Sequence, residues 1–110
     1  MIVVTASFDD FQKLAFKVGR ITAAERIPNM RKILKVQVDI GGRTVQAVAG
    51  GAEFYEPSSF VGKQVVVLTN MEPKLIAGVK SEVMLLAADL NGKPVWVTVN
   101  DEVPAGTTVR

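Results

Sequence analysis

Leu34, Val36, Val38 and Ile40 alternate with Lys35, Gln37 and Asp39, and Gly41-Gly42 follows at once. A clean period of two, with one apolar face and one wet face, predicts a half-buried strand. The glycine pair predicts a hairpin into a second strand over residues 43–49. A chain built around such a hairpin has to bring further strands over its apolar face.

The flanking sequence supplies them. Residues 16–27 read as a long mixed strand, and Gly19 inside it marks a bulge or bend of the kind a barrel-forming first strand requires. Pro28-Asn29 signals a turn, and Gly50-Gly51 ends the strand over 43–49. Residues 52–60, with Pro57 and two serines, predict a short helix or turn. Val65-Val66-Val67-Leu68 is the continuous apolar run of a strand buried on both faces. Residues 70–80, with Pro73 and Gly78, predict a loop, and residues 83–88 another apolar strand. Asn91-Gly92 is a second hairpin signal, leading into a strand over 94–99 that carries Trp96. The tail over 102–110 turns at Pro104 and Gly106 and ends extended.

Before all of these, Ser7-Phe8-Asp9-Asp10 has the pattern of a capping box, and the two acids suit the positive end of a helix dipole. Phe8, Phe11 and Leu14 fall on one face, which predicts a helix of about two turns that needs to pack that face on a core. The whole pattern describes an all-β fold. It is a five-stranded Greek-key barrel of the OB type, with a short N-terminal helix and a short helical connection after the third strand. An SH3-like barrel lacks that inserted element. A length of 110 residues suits one domain, with 1–15 as an N-terminal extension and helix and 100–110 as a C-terminal extension.

Two absences narrow the chemistry. With no cysteine and no histidine, the chain holds no disulfide, no thiolate or imidazole metal site and no histidine-based triad. The glycine pairs fit neither a Walker A loop nor a GxGxxG frame. Asp9-Asp10 and Asp101-Glu102 are paired acids, but one pair opens a helix and the other sits in a loop, where capping and solubility account for them. The expectation is a binding protein rather than an enzyme, with no cofactor and no metal. Ile2-Val3-Val4 is too short for a signal peptide and no stretch approaches a membrane span, so a soluble cytoplasmic protein is expected.

The net charge is only +2, but its distribution is uneven. Lys13, Lys17, Arg20, Arg26, Arg31, Lys32, Lys35 and Arg43 are opposed in their window by Glu25 and Asp39 alone. Such an asymmetry can become a basic face for a polyanion.

Two segments carry a family resemblance. They are Lys17-Val18-Gly19-Arg20-Ile21 through Lys32-Ile33-Leu34-Lys35-Val36, and the run from Asn70-Met71-Glu72-Pro73-Lys74 through Gly78, Ser81-Glu82 and Met84 to Ala88. Together they resemble the tRNA-binding domain of methionyl-tRNA synthetase C-terminal modules, free-standing structure-specific tRNA-binding proteins and endothelial monocyte-activating polypeptide. The resemblance implies a homodimeric OB-fold that grips the outer corner of the tRNA L by shape, as an accessory of aminoacyl-tRNA synthesis that acts with or beside an aminoacyl-tRNA synthetase. It carries nucleic-acid contacts onto Lys32, Asn70, Lys74, Ser81 and Met84, joined by the neighbouring cations Arg31, Lys35 and Lys80. Lysines would neutralise phosphates, Ser81 and Asn70 would hydrogen-bond phosphate or 2′-hydroxyl groups, and Met84 would touch a sugar or base.

The sequence also departs from the family pattern. Ile27-Pro28 stands where the first motif usually begins His-Pro, Met30-Arg31 where it has Ala-Asp, Leu75 and Ala77 at positions often basic, and Val83 at a common glycine. Ile76-Ala77-Gly78 and Lys80-Ser81-Glu82-Val83 resemble instead the CsaA-like branch of the fold, described as dimeric export chaperones that bind unfolded polypeptide. A third class of reading, single-strand nucleic-acid binding, would use Phe54, Tyr55 or Trp96 as stacking platforms. Residues 2–4 and 103–109 are potential edge strands, which pairing of two copies would cover.

Overall fold

A computed structural model of the chain describes residues 3–110. After the helix α1 (Phe8–Gln12) come β1 (Phe16–Arg26), β2 (Ile33–Asp39), β3 (Thr44–Gly50), the helix α2 (Pro57–Phe60) and β4 (Gln64–Leu68). Short strands follow: β5 (Lys74–Ile76), β6 (Val79–Ser81), β7 (Met84–Leu85), β8 (Ala87–Leu90), β9 (Lys93–Trp96) and β10 (Thr108–Val109). The main sheet runs β3-β2-β1-β4-β7, with β10 added beside β1.

Strand β1 belongs to both halves of the barrel. Its first half pairs with β4, from Phe16 opposite Leu68 to Arg20 opposite Gln64. Its second half pairs with β2, and the register slips between Ile21 and Ala23. That bulge turns the sheet so that it can curl. Gly19 lies just before it, where a Cβ would come within 2.5 Å of Val38 Cγ1 and 3.0 Å of Val67 Cγ2. Two core valines, from the strands on either side of β1, leave room for glycine alone.

The curl nearly closes. Across the gap the Glu82 N–H donates to the Gln46 carbonyl at 2.8 Å, and Gln46 Nε2 donates to the Lys80 carbonyl at 2.9 Å. The result is an all-β, nearly closed barrel of the OB type. Its interior is filled by Ile21, Leu34, Val36, Val38, Val65 and Val67, all essentially without solvent contact. Phe60 of α2 plugs one end and stacks on Trp96, with ring centroids 4.8 Å apart. Each such aliphatic side chain contributes about 1.5–3 kcal/mol on burial.

Residues 70–80, expected as a loop, contain most of a hairpin instead: β5 and β6 pair with Ile76 opposite Val79. Its turn is Ala77-Gly78, with φ of 52° and 78°, the left-handed pair that matches the twist of a tight hairpin. Residues 83–88, expected as one strand, are split between β7 and β8 around Leu86, whose N–H donates to the Val66 carbonyl. Of the expected edge strands, the two residues of β10 pair with β1, while Val3 and Val4 lie exposed outside any strand; Ile2 falls outside the described residues.

Helix α1 spans five residues rather than two full turns, and its apolar face is not buried. Phe8 and Phe11 stack on each other, and Phe11 on Phe16, leaving all of α1 in contact with water. The capping box does form. The Asp10 N–H donates to Ser7 Oγ and the Ser7 N–H donates to Asp10 Oδ2, each at 3.1 Å. The Ser7 N–H, then its hydroxyl, and lastly nearby Lys13 hold the Asp10 carboxyl below its usual range, against a small opposing effect of desolvation.

Candidate nucleic-acid interface

Alternation that turns Leu34, Val36 and Val38 into the core turns Ile33, Lys35 and Gln37 outward, and on β3 it turns Gln46 and Val48 outward. Register sets Lys35 opposite Val48 and Ile33 opposite Gly50. Two depressions take in residues of this outer face of β3. A groove of about 220 Å³ lies between β3 and the β5–β6 hairpin, lined by Val48, Met71, Lys74, Ile76, Ser81 and Met84, with Glu72 and Glu82 also on its wall. A wider cleft of about 500 Å³ begins at Gly50 and is bounded by Lys32, Gly51, Glu53, Phe54 and the β8–β9 hairpin.

The residues singled out from the sequence divide between these places and the fold itself. Lys74 and Met84 line the groove, both exposed, and Lys32 lines the cleft with Arg31 exposed beside it in the chain. Among the described residues, Arg31, Lys32, Lys74 and Lys80 enter no ion pair. Lys80 is exposed but faces away from the groove. It sits opposite Leu75 in the hairpin, and their neighbours Lys74, Ile76 and Ser81 alternate to the groove side.

Three of the expected contacts are engaged elsewhere. Ser81 is 8% exposed; its hydroxyl accepts the Val48 N–H at 3.1 Å and donates to the Val83 carbonyl at 3.2 Å. It fastens β6 to β3 rather than offering a free hydroxyl to solvent. Asn70 Oδ1 accepts the Ala15 N–H at 2.8 Å and its Nδ2 donates to the Lys13 carbonyl at 2.7 Å, so its amide ties down the segment after α1. Lys35 Nζ lies 2.6 Å from Glu25 Oε1, across the β1–β2 pair, and its charge is matched within the fold.

Val83 is a core residue, which accounts for an apolar side chain at a position where the family often has glycine. Met71, Val48 and Ile76 in the groove, and Glu53 and the glycine pair Gly50-Gly51 in the cleft, are not among the site residues expected from the sequence. Nothing in their local pattern separates them from turn and strand residues; only the register of β3 against the hairpin places them together. No group of three or more Asp or Glu side chains among the described residues is placed to hold a metal ion, and no helix among them is long and apolar enough to cross a membrane.

Comparison with known proteins bears on the family and the fold. The family model for a tRNA binding domain matches residues 16–108. Methionine–tRNA ligase of Methanothrix thermoacetophila is 50% identical over 103 residues, a match that takes in 94% of this chain and 15% of that enzyme. The corresponding ligase of Thermotoga maritima is 39% identical over 103 residues, a match that takes in 94% of this chain and 16% of that enzyme. This chain thus spans roughly a sixth of the curated relatives it matches. Among solved structures, the MetRS related protein from Pyrococcus horikoshii superposes with a TM-score of 0.91 at 34% identity, over 98% of this chain and 100% of that one. Chaperone CsaA from Bacillus anthracis superposes with a TM-score of 0.88 at 33% identity, over 97% of this chain and 100% of that one.

Proposed function

Because this chain belongs to the tRNA-binding domain family, we propose that it binds tRNA by shape, without catalysis, at the outer corner of the L, as an accessory of aminoacyl-tRNA synthesis. The observation that carries this reading is the set of exposed cations around the outer face of β3 that enter no ion pair among the described residues. Lys74 lines the groove and Lys32 lines the cleft, with Arg31 exposed beside it in the chain. Lys32 and Lys74 neutralise phosphates, releasing counterions, while Met84 and Met71 offer soft apolar contact to sugars or base edges between them. A rigid barrel edge and a hairpin presenting charge at fixed separation read the path of a folded backbone, not its base sequence. That suits RNA, whose duplex grooves hide the base edges.

A mobility-shift titration at low salt tests this. Intact tRNA shifts, more tightly than a short hairpin, and the affinity falls as salt rises. Equal binding of the hairpin, or no shift at all, removes the reading. Purified protein carrying a raised 260/280 nm absorbance ratio supports it independently.

The same reading includes a second copy of the chain. Phe8, Phe11, Leu14, Phe16 and Val109 line a depression of about 360 Å³ whose wall is largely apolar and open to solvent. Covering that face on a two-fold partner gives α1 the packing that a five-residue helix needs. A monomeric mass by light scattering removes this part. A second reading, binding of unfolded polypeptide, is favoured by the likeness to chaperone CsaA and by the apolar wall of the groove at Val48, Met71, Ile76 and Met84. It predicts suppression of client aggregation at stoichiometric protein, together with a purified protein free of RNA.

A further inference from the structure

Three aromatic side chains near the outer face offer a ring to a ligand, and the fold has used two of them. Trp96 stacks on Phe60, and Tyr55 donates its hydroxyl to the Pro94 carbonyl at 2.8 Å with its ring against Gly51, where an added Cβ would lie 3.0 Å away. Phe54 differs. It is 50% exposed and forms part of the wall of the 500 Å³ cleft.

Its position is fixed from behind. The N–H groups of Phe54 and Tyr55 both donate to the Gly51 carbonyl, at 2.9 and 3.0 Å, in a turn that Gly51 enters at a φ of 97°. The Ala52 N–H donates to the Lys32 carbonyl at 3.3 Å, so the loop carrying the ring and the strand entry carrying the cation share one hydrogen-bonded frame. A ring held open to water by a rigid backbone loses an apolar contact that a flexible loop would have folded away.

The charges around the cleft sort what can enter. Glu53 and Asp89 lie on its wall, the Asp89 carboxylate fixed by the Gly92 N–H at 2.8 Å, while Lys32 enters no ion pair among the described residues. Two carboxylates repel a phosphate from the interior, and the lysine attracts one nearby. A neutral flat group linked to a phosphate fits both conditions.

We propose that this cleft receives one unstacked nucleobase of the bound RNA, laid on the Phe54 ring, with the phosphate of the same nucleotide on Lys32. The proposal rests on the tRNA-binding reading and adds to it a point of contact with a base. Stacking of this kind tolerates any base, because each has a π-face. It fits a looped or cornered RNA in which bases are already splayed from the helix.

The test is equilibrium binding of unfractionated tRNA to the full chain and to Phe54→Ala, Phe54→Leu and Phe54→Trp. Alanine and leucine weaken binding about tenfold, in line with the loss of one base stack, while tryptophan retains wild-type affinity. The emission of Phe54→Trp, corrected for Trp96 with wild-type protein, is quenched on adding tRNA. Leucine keeps the apolar bulk, so the comparison holds even if the alanine variant fails to fold. Wild-type affinity in Phe54→Leu, or an unquenched tryptophan at saturating tRNA, overturns the cleft proposal and leaves tRNA binding standing. Failure of the wild-type protein to bind tRNA overturns both. Quenching by an apolar peptide but not by tRNA assigns the cleft to polypeptide.

Discussion

Asn70 holds Ala15 from across the fold, accepting its N–H on Oδ1 at 2.8 Å while Nδ2 donates to the carbonyl of Lys13 at 2.7 Å. Thr69 completes the clamp, since its N–H and its hydroxyl both donate to the Ala15 carbonyl at 2.8 Å. The entry into β1 is thereby pinned, and α1 with it. Asn70→Ala is expected to lower stability by about 1–2 kcal/mol, the net worth of two exposed hydrogen bonds. It also raises amide exchange at Ala15, and the dependence of tRNA affinity on salt stays as in wild type. Thermal denaturation with hydrogen exchange and a tRNA titration checks this; weakened tRNA binding with unchanged melting would instead make Asn70 a contact to RNA.

Ser81 separates the same alternatives at the barrel seam. Removing its hydroxyl leaves the Val48 N–H and the Val83 carbonyl without their partner at a buried position. Ser81→Ala should cost about 1–3 kcal/mol in stability. Any loss of tRNA affinity should track unfolding and vanish at low temperature. A stable Ser81→Ala protein with a marked binding defect would return the residue to the interface.

These two residues show where the sequence was legible and where it was not. The period-two run of β2, the glycine hairpin after it and the four-residue apolar run of β4 each declare their structure locally, because burial on one or both faces is written in the side chains themselves. The barrel and its inserted helix follow from those elements. The β5–β6 hairpin was hidden because its strands are three residues each and alanine is a poor signal for a left-handed turn. It is held by β3, not by its own propensity. The cations Arg31, Lys32 and Lys74 are exposed as their chemistry suggests. Asn70 and Ser81 are expected at the interface from the family motif, while their bonds to partners 55 and 33 residues away are a relation no local pattern encodes.

The capping box gives a pH dependence. The Asp10 carboxyl is held below its usual 3.8 by the Ser7 N–H first, and by the Ser7 hydroxyl next. A depressed folded value means that its contribution to α1 is fully present above the unfolded value near 3.8 and is lost as pH falls through the folded one. An NMR titration of the Asp10 carboxyl should therefore show a midpoint below 3.8 in wild type, moving upward in Ser7→Ala. An identical midpoint in both proteins would show that the cap does not form in solution.

Ala77 carries a φ of 52°, a left-handed conformation that penalises a Cβ, and Gly78 follows it at 78°. Asn-Gly is the preferred pair for this turn, since asparagine tolerates the left-handed region. Ala77→Asn should stabilise the hairpin by roughly 0.5 kcal/mol, a rise of about 2–4 °C in Tm. The adjoining groove keeps its lining, because Ala77 is not part of it. A lower Tm would place the turn in another conformation.

Lys35 and Glu25 set the last test, since their 2.6 Å ion pair neutralises a cation on the proposed face. Lys32 and Lys74 have no such partner among the described residues. Replacing either with alanine should weaken tRNA binding at every salt concentration. It should also make the plot of log affinity against log salt shallower by roughly 0.7–0.9 per cation removed. Lys35→Ala should do less, because the charge it removes is already matched and its loss leaves an exposed carboxylate. Glu25→Gln should act in the opposite direction, releasing Lys35 toward the RNA, tightening binding at low salt and steepening the slope. Filter binding across a salt series on all four variants measures this directly. If Lys35→Ala proves as damaging as Lys32→Ala and Glu25→Gln has no effect, the RNA reaches Lys35 over the ion pair, and the contact surface lies further along β2 than the groove and cleft alone define.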